Sequence, residues 1–168
     1  AEYSLNAAEH FFNELLRCGT TTAQVFGTVH PESVDAFFSV AEQRDLRMIC
    51  GKVLMDRNGP LGLLDTPETS YIDSKNLIER WHGRGRLRYA VSPRFAPTST
   101  PDQLATACQL LREYPGTHLQ THLSEDEEEI NWVKSLFPSC KNYLDVYKRA
   151  GLLGKRLSLI HISEPTRQ

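Results

Sequence analysis

The sequence predicts an α/β fold in which parallel strands alternate with helices. Three observations carry this. Helical and extended patterns alternate at regular spacing between residues 7 and 150. No hairpin signal joins one strand directly to the next. The run Met48-Ile49-Cys50 is apolar without alternation, as expected of a strand covered on both faces by helices.

The elements follow in order. Residues 7–17 form a first helix, with Phe11, Leu15 and Cys18 at helical spacing and Gly19 as its stop. Thr20 to Phe26 is rich in β-branched residues and reads as a strand. Pro31 opens a second helix, where its missing N–H is harmless, and Val34, Phe37, Phe38 and Ala41 give that helix its inner face. Leu46 to Met55 is the next strand, and a loop through Asn58-Gly59-Pro60 follows. Thr66-Pro67 caps a third helix that reaches Trp81. Leu87 to Val91 is a strand, closed by Ser92-Pro93-Arg94-Phe95. Thr100 to Gln103 reads as a capping box for a fourth helix, which buries Leu104, Ala107, Cys108 and Leu111. Pro115-Gly116 breaks it, and a strand from Thr117 to Thr121 follows. Ser124-x-x-Glu127 reads as a second capping box, for an acidic helix from Glu125 to about Phe137. A short helix from Asn142 to Ala150 ends at Gly151.

Composition excludes several partners. With 168 residues, 40% of them hydrophobic, the chain can build a real core. A net charge of -2 gives no reason to expect nucleic acid or an anionic membrane as partner. No apolar run is long enough to span a bilayer, and no signal-peptide pattern opens the chain. Cys18, Cys50, Cys108 and Cys140 form no C-x-x-C pair, so free thiols in a reducing, cytoplasmic compartment are expected. The chain opens at an alanine within an amphipathic segment, so a further upstream region is expected.

The chemistry concentrates at strand ends. Thr121-His122-Leu123-Ser124-Glu125 places an imidazole at a strand tip and a carboxylate in the turn beyond it. A metal hydrolase uses that pairing, one group to hold the ion and one to move protons. Alternation puts His118, Gln120 and His122 on one face of the strand and Leu119 and Thr121 on the other. Arg94 and Phe95 end the preceding strand. Each has a structural alternative: a hydrogen-bonded histidine, a first-turn acid, a salt-bridging arginine. His30 also follows a strand end but, before Pro31, reads as a helix-entry residue, and His10, His82 and His118 show no partner spacing. A parallel sheet with these residues fits either a barrel or an open sheet.

Four co-linear motifs resemble the guanine deaminases of the amidohydrolase superfamily. They are Gly51-Lys52-Val53-Leu54-Met55-Asp56, Ser92-Pro93-Arg94-Phe95-Ala96-Pro97-Thr98, Thr121-His122-Leu123-Ser124-Glu125 and Asn142-Tyr143-Leu144-Asp145-Val146-Tyr147. The resemblance implies a partial (β/α)8 TIM barrel over residues 1–156, about strands two to five with their helices; a whole barrel takes about 250 residues. It implies zinc as cofactor, with His122 as a metal ligand and Glu125 as the catalytic proton shuttle. It implies that Arg94 and Phe95 bind a small purine substrate, deaminated to xanthine and ammonia. A homodimer is the oligomer it implies. It also implies pieces that this sequence lacks: a His-x-His upstream of Ala1, an Ala-His-Gly just after Arg156, and a late aspartate. Residues 157–168 resemble a translated sequencing adaptor instead, expected to be unstructured, and His161 falls in the Ala-His-Gly register by coincidence. Two alternatives stand beside the deaminase: a related amidohydrolase acting on another aminated heterocycle, and an inert truncated translation product.

Overall fold

The structure is a computed structural model that describes residues 2–160. Its helices begin where the sequence supplies caps. Helix α1 (Glu2–Arg17) starts five residues earlier than periodicity indicates, and Gly19 at φ 77 turns the chain out of it. Helix α2 (Pro31–Gln43) has proline at its first position. Helix α3 (Pro67–Trp81) has a reciprocal capping box between Thr66 and Thr69. At α4 (Pro101–Glu113) only half of the expected box forms. Thr100 accepts from the Gln103 N–H, but the Gln103 side chain instead donates to Ser70 Oγ at 2.7 Å.

Helix α5 (Glu127–Leu136) corrects a second expectation. Its cap is Asp126, whose carboxylate accepts from the Glu129 N–H at 2.8 Å, and not Ser124. Ser124 sits at φ 55, a left-handed conformation that an N-cap residue does not adopt. Helix α6 (Tyr143–Arg149) is capped by Asn142.

The strands are β1 (Thr22–Phe26), β2 (Arg47–Gly51), β3 (Val53–Leu54), β4 (Arg88–Pro93), β5 (His118–His122) and β6 (Leu157–Ile160). Every pairing is parallel, in the order β1-β2-β4-β5-β6. The single strand expected over residues 46–55 is interrupted at Lys52. Strand β3 keeps the β2 register against β4, so it continues the same strand. Neighbours in sequence are neighbours in the sheet, which suits a barrel wall and not a doubly wound sheet.

The sheet is curled. Gln120 on β5 donates from Nε2 to the Val25 carbonyl on β1 at 3.0 Å and to Ser92 Oγ on β4 at 2.9 Å. In a flat sheet β5 and β1 would lie three strand spacings apart, about 14 Å, too far for one side chain. The fold is therefore a parallel half-barrel. Its outer face packs Met48, Cys50, Tyr89, Val91 and Leu119 against Phe12, Phe38, Trp81, Leu104 and Leu110 of the helices. Its inner face is polar and crowded.

Of residues 157–168, set apart by sequence as an unstructured tail, the first four form β6. This is one strand more than expected, and it pairs with β5 from Leu119 to His122. The remainder, including His161, lies outside the described residues.

Two outcomes follow from this packing. A Cβ added at Gly51 would lie 1.7 Å from the Ala90 carbonyl oxygen. Gly51→Ala should therefore lower the free energy of urea unfolding by roughly 3 kcal/mol or more. Burial pushes the Cys50 thiol from 9.0 up to about 12 and the Tyr147 hydroxyl from 10.0 up to about 12. Both are neutral when protonated, so the folded chain keeps protons that the unfolded chain releases. Their contribution is complete below pH 9 and is lost as the pH climbs toward 12. Urea midpoints measured across that window should fall, and a flat profile would remove the burial assignment.

Candidate active site

The C-terminal ends of the strands meet around one cavity of about 560 Å³. Its lining includes Phe26 at the end of β1, Met55 after β3, Arg94 after β4 and His122 at the end of β5. A larger cavity of about 700 Å³ lies among α4, α6 and the end of α5, lined by Leu104, Cys108, Phe137 and Val146. It sits on the helical layer, away from the strand ends. Working groups in such barrels stand where βα loops leave the strands, so the smaller cavity is the candidate site.

Backbone geometry fixes His122. Its main-chain N–H donates to the Arg94 carbonyl at 3.0 Å, and its ring Nδ1 lies 2.8 Å from the same oxygen. A carbonyl only accepts, so Nδ1 is the donor in this contact. That is the arrangement a metal-binding histidine takes when a carbonyl orients it. Phe26 packs on the ring, with centroids 4.7 Å apart, and Phe95 stands edge-on at 6.4 Å.

Tyr147 of α6 holds the strand tip from behind. Its hydroxyl donates to the His122 carbonyl at 2.8 Å and accepts from the Ala96 N–H and from Thr121 Oγ1, each at 3.0 Å. Burial keeps that hydroxyl protonated, so it remains a donor at neutral pH.

Arg94 and Phe95 form a pair. The Arg94 guanidinium lies over the Phe95 ring at 4.3 Å from its centroid. Phe95 is itself buried, edge-on to Trp132 at 6.3 Å. The loop after β3 is braced against the loop after β4. Asp56 accepts from the Thr100 N–H at 2.8 Å and from the Thr100 hydroxyl. Arg57 donates to the Ala96 and Pro97 carbonyls at 3.0 and 3.1 Å, and Asn58 to Pro97 at 2.7 Å. Behind this wall, fully buried Lys52 forms an ion pair with Asp65.

The structure thus brings His122, Arg94 and Phe95 together. Glu125 stands exposed in the loop between β5 and α5, just past the left-handed turn at Ser124. Sequence reasoning missed Phe26 and Tyr147. One ends a strand and one lies within a motif, but nothing in their spacing shows that they meet His122. The chemistry of one oriented imidazole suits one metal ligand. Among the described residues, no group of three or more His, Cys, Asp or Glu side chains could hold a metal ion. A catalytic zinc takes three protein ligands, and the described residues do not make such a set.

Comparison with known proteins follows the same lines. The chain is 58% identical over 160 residues to guanine deaminase of Escherichia coli K12, covering 95% of this chain and 36% of that protein. It superposes on the E. coli guanine deaminase structure with a TM-score of 0.94, covering 95% of this chain and 38% of that one. A guanine deaminase from C. acetobutylicum, solved with bound guanine in its active site, matches with a TM-score of 0.92 at 27% identity, over 98% of this chain and 40% of that one. The chain spans little more than a third of the length of these relatives. The model of the amidohydrolase family matches residues 1–167. The chain belongs to the amidohydrolase family.

Proposed function

We propose that this chain is the part of a guanine deaminase that carries one metal ligand, the substrate-orienting arginine and the proton-shuttling acid. The observation that carries the reading is the meeting of His122 and Arg94 on the wall of one cavity at the strand ends. The names of its relatives supply the substrate, guanine, and the products are xanthine and ammonia.

His122 would hold zinc through Nε2, since Nδ1 is committed to the Arg94 carbonyl. When bound, zinc supplies the Lewis acidity that makes water nucleophilic near neutral pH. Arg94 donates to the carbonyl and ring-nitrogen acceptors of the purine, and its stacking on Phe95 sets the plane from which it does so. Phe26 and Phe95 keep the surroundings of the imidazole apolar, which strengthens polar contacts made there. Glu125 takes the proton from the attacking water and returns protons to the ring nitrogen and the leaving ammonia. We assign turnover to a complete barrel and not to these 168 residues alone, because the described residues provide one ligand candidate at this site. The cytoplasm is the compartment we infer, supported by four free cysteines, and a homodimer is the assembly. Among the described residues no helix is long and apolar enough to cross a membrane.

Glu125→Gln in a complete barrel carrying this segment should keep its zinc and lose roughly a hundred-fold or more in kcat for guanine. Near-normal xanthine formation with zinc retained would end the shuttle role. His122→Ala should lose zinc by elemental analysis, and a full metal complement in that variant would remove His122 from the ligand set.

A further inference from the structure

The sequence leaves His118 and His82 without a role, and the structure places both at the end of the half-barrel opposite the cavity. Ile49 is level with Arg88, and Ala90 with His118, across the paired strands. Side chains alternate along a strand, so Arg47, Arg88 and His118 share the inner face with Gln120. Arg156 directly precedes β6, and its carbonyl accepts from the Leu119 N–H at 2.9 Å. Leu157 is level with Leu119 on the outer face, so Arg156 falls on the inner one. Three neighbouring strands, β2, β4 and β5, therefore each begin with a basic side chain on the inner face, and Arg156 stands just before the start of the fourth, β6.

The electrostatics agree with this placement. Burial lowers the His118 pKa, and the charges that add to the effect are Arg156, Arg88 and Arg47. His82 is lowered by burial and then by Arg88, His118 and Arg156. Among the described residues, none of the three arginines takes part in an ion pair with a carboxylate. Arg88 Nη1 donates to the Leu87 and Gly85 carbonyls at 2.6 and 3.2 Å, and Arg156 Nη1 to the Pro115 carbonyl at 2.7 Å. These bonds steady the heads, and each guanidinium has five N–H donors, so most remain for a ligand. Clustered like charges repel one another unless an anion stands among them, and guanidinium forks match phosphate oxygens two at a time.

We infer that the N-terminal mouth of the half-barrel binds a phosphate-bearing small anion, held by Arg47, Arg88, Arg156 and His118. This site is separate from the cavity at the opposite end, and its detection requires no turnover. The test titrates the full chain with inorganic phosphate, and separately with a nucleoside monophosphate, at fixed ionic strength. The His118 imidazole is followed by NMR. A saturable shift is expected, and the His118 pKa should rise because the bound anion offsets the arginines. Equal affinity for the two ligands assigns the site to the phosphate group itself; tighter nucleotide binding adds contacts to the nucleoside. Arg47→Gln changes an exposed side chain and should weaken binding roughly five-fold, as should Arg156→Gln. A non-saturating response that chloride reproduces would overturn the proposal, and so would binding that both variants leave unchanged.

Discussion

One amide marks the curl of the sheet on which the rest of this molecule depends. Gln120 reaches from β5 to the backbone of β1 and to Ser92 on the way, and it can do so only because the sheet curls. Curling has two consequences. It brings the end of β1 beside the end of β5, so Phe26 packs on the His122 ring. It also turns one face of every strand toward a shared interior, where space is so short that Gly51 lies against the Ala90 carbonyl without room for a methyl group. In that interior Gln120 Nε2 bonds to Ser92 and to the Val25 carbonyl, and Ser92 Oγ donates to the Ala90 carbonyl. Polar groups removed from water need such partners.

The two ends of that interior carry different chemistry. At the C-terminal end, one carbonyl and one hydroxyl set the imidazole. The Arg94 oxygen receives both the N–H and the ring Nδ1 of His122, and Tyr147 receives from Thr121 and Ala96 while donating to the His122 carbonyl. The loop after β4 and helix α6 are thereby locked to one strand tip. At the N-terminal end, arginines collect with no carboxylate to pair with them among the described residues. A barrel allows this because alternation along each strand is the same at both ends, while the loops that decorate the ends differ.

The loop after β3 shows how the cavity wall is kept rigid. Lys52 is wholly buried and paired with Asp65, and Ser70 also donates to that carboxylate, at 3.2 Å. Removing either partner alone would leave a buried charge uncompensated, which is far costlier than losing an exposed pair. Asp56, Arg57 and Asn58 then fasten the same loop to the backbone of residues 96–100. The wall facing His122 is thus held by a buried ion pair on one side and main-chain carbonyls on the other.

The sequence by itself determined the parallel α/β class, most helix starts and the face on which His122 lies. Those depend on residues close together in the chain: the threonine caps and first-position prolines of α3 and α4, the alternation of His118, Gln120 and His122, the apolar spacing of α4. It misplaced the cap of α5, because a left-handed Ser124 is a matter of how the chain leaves β5 and not of composition. It missed β6, because a strand rich in leucine and isoleucine but alien to the resemblance gained its status only by pairing with β5. Only the tertiary structure decided that Gln120 meets Val25, that Phe26 meets His122 and that three arginines gather around His118 near the strand starts. Those partners lie far apart in the chain, and the curl that joins them arises from the packing of all the strands together.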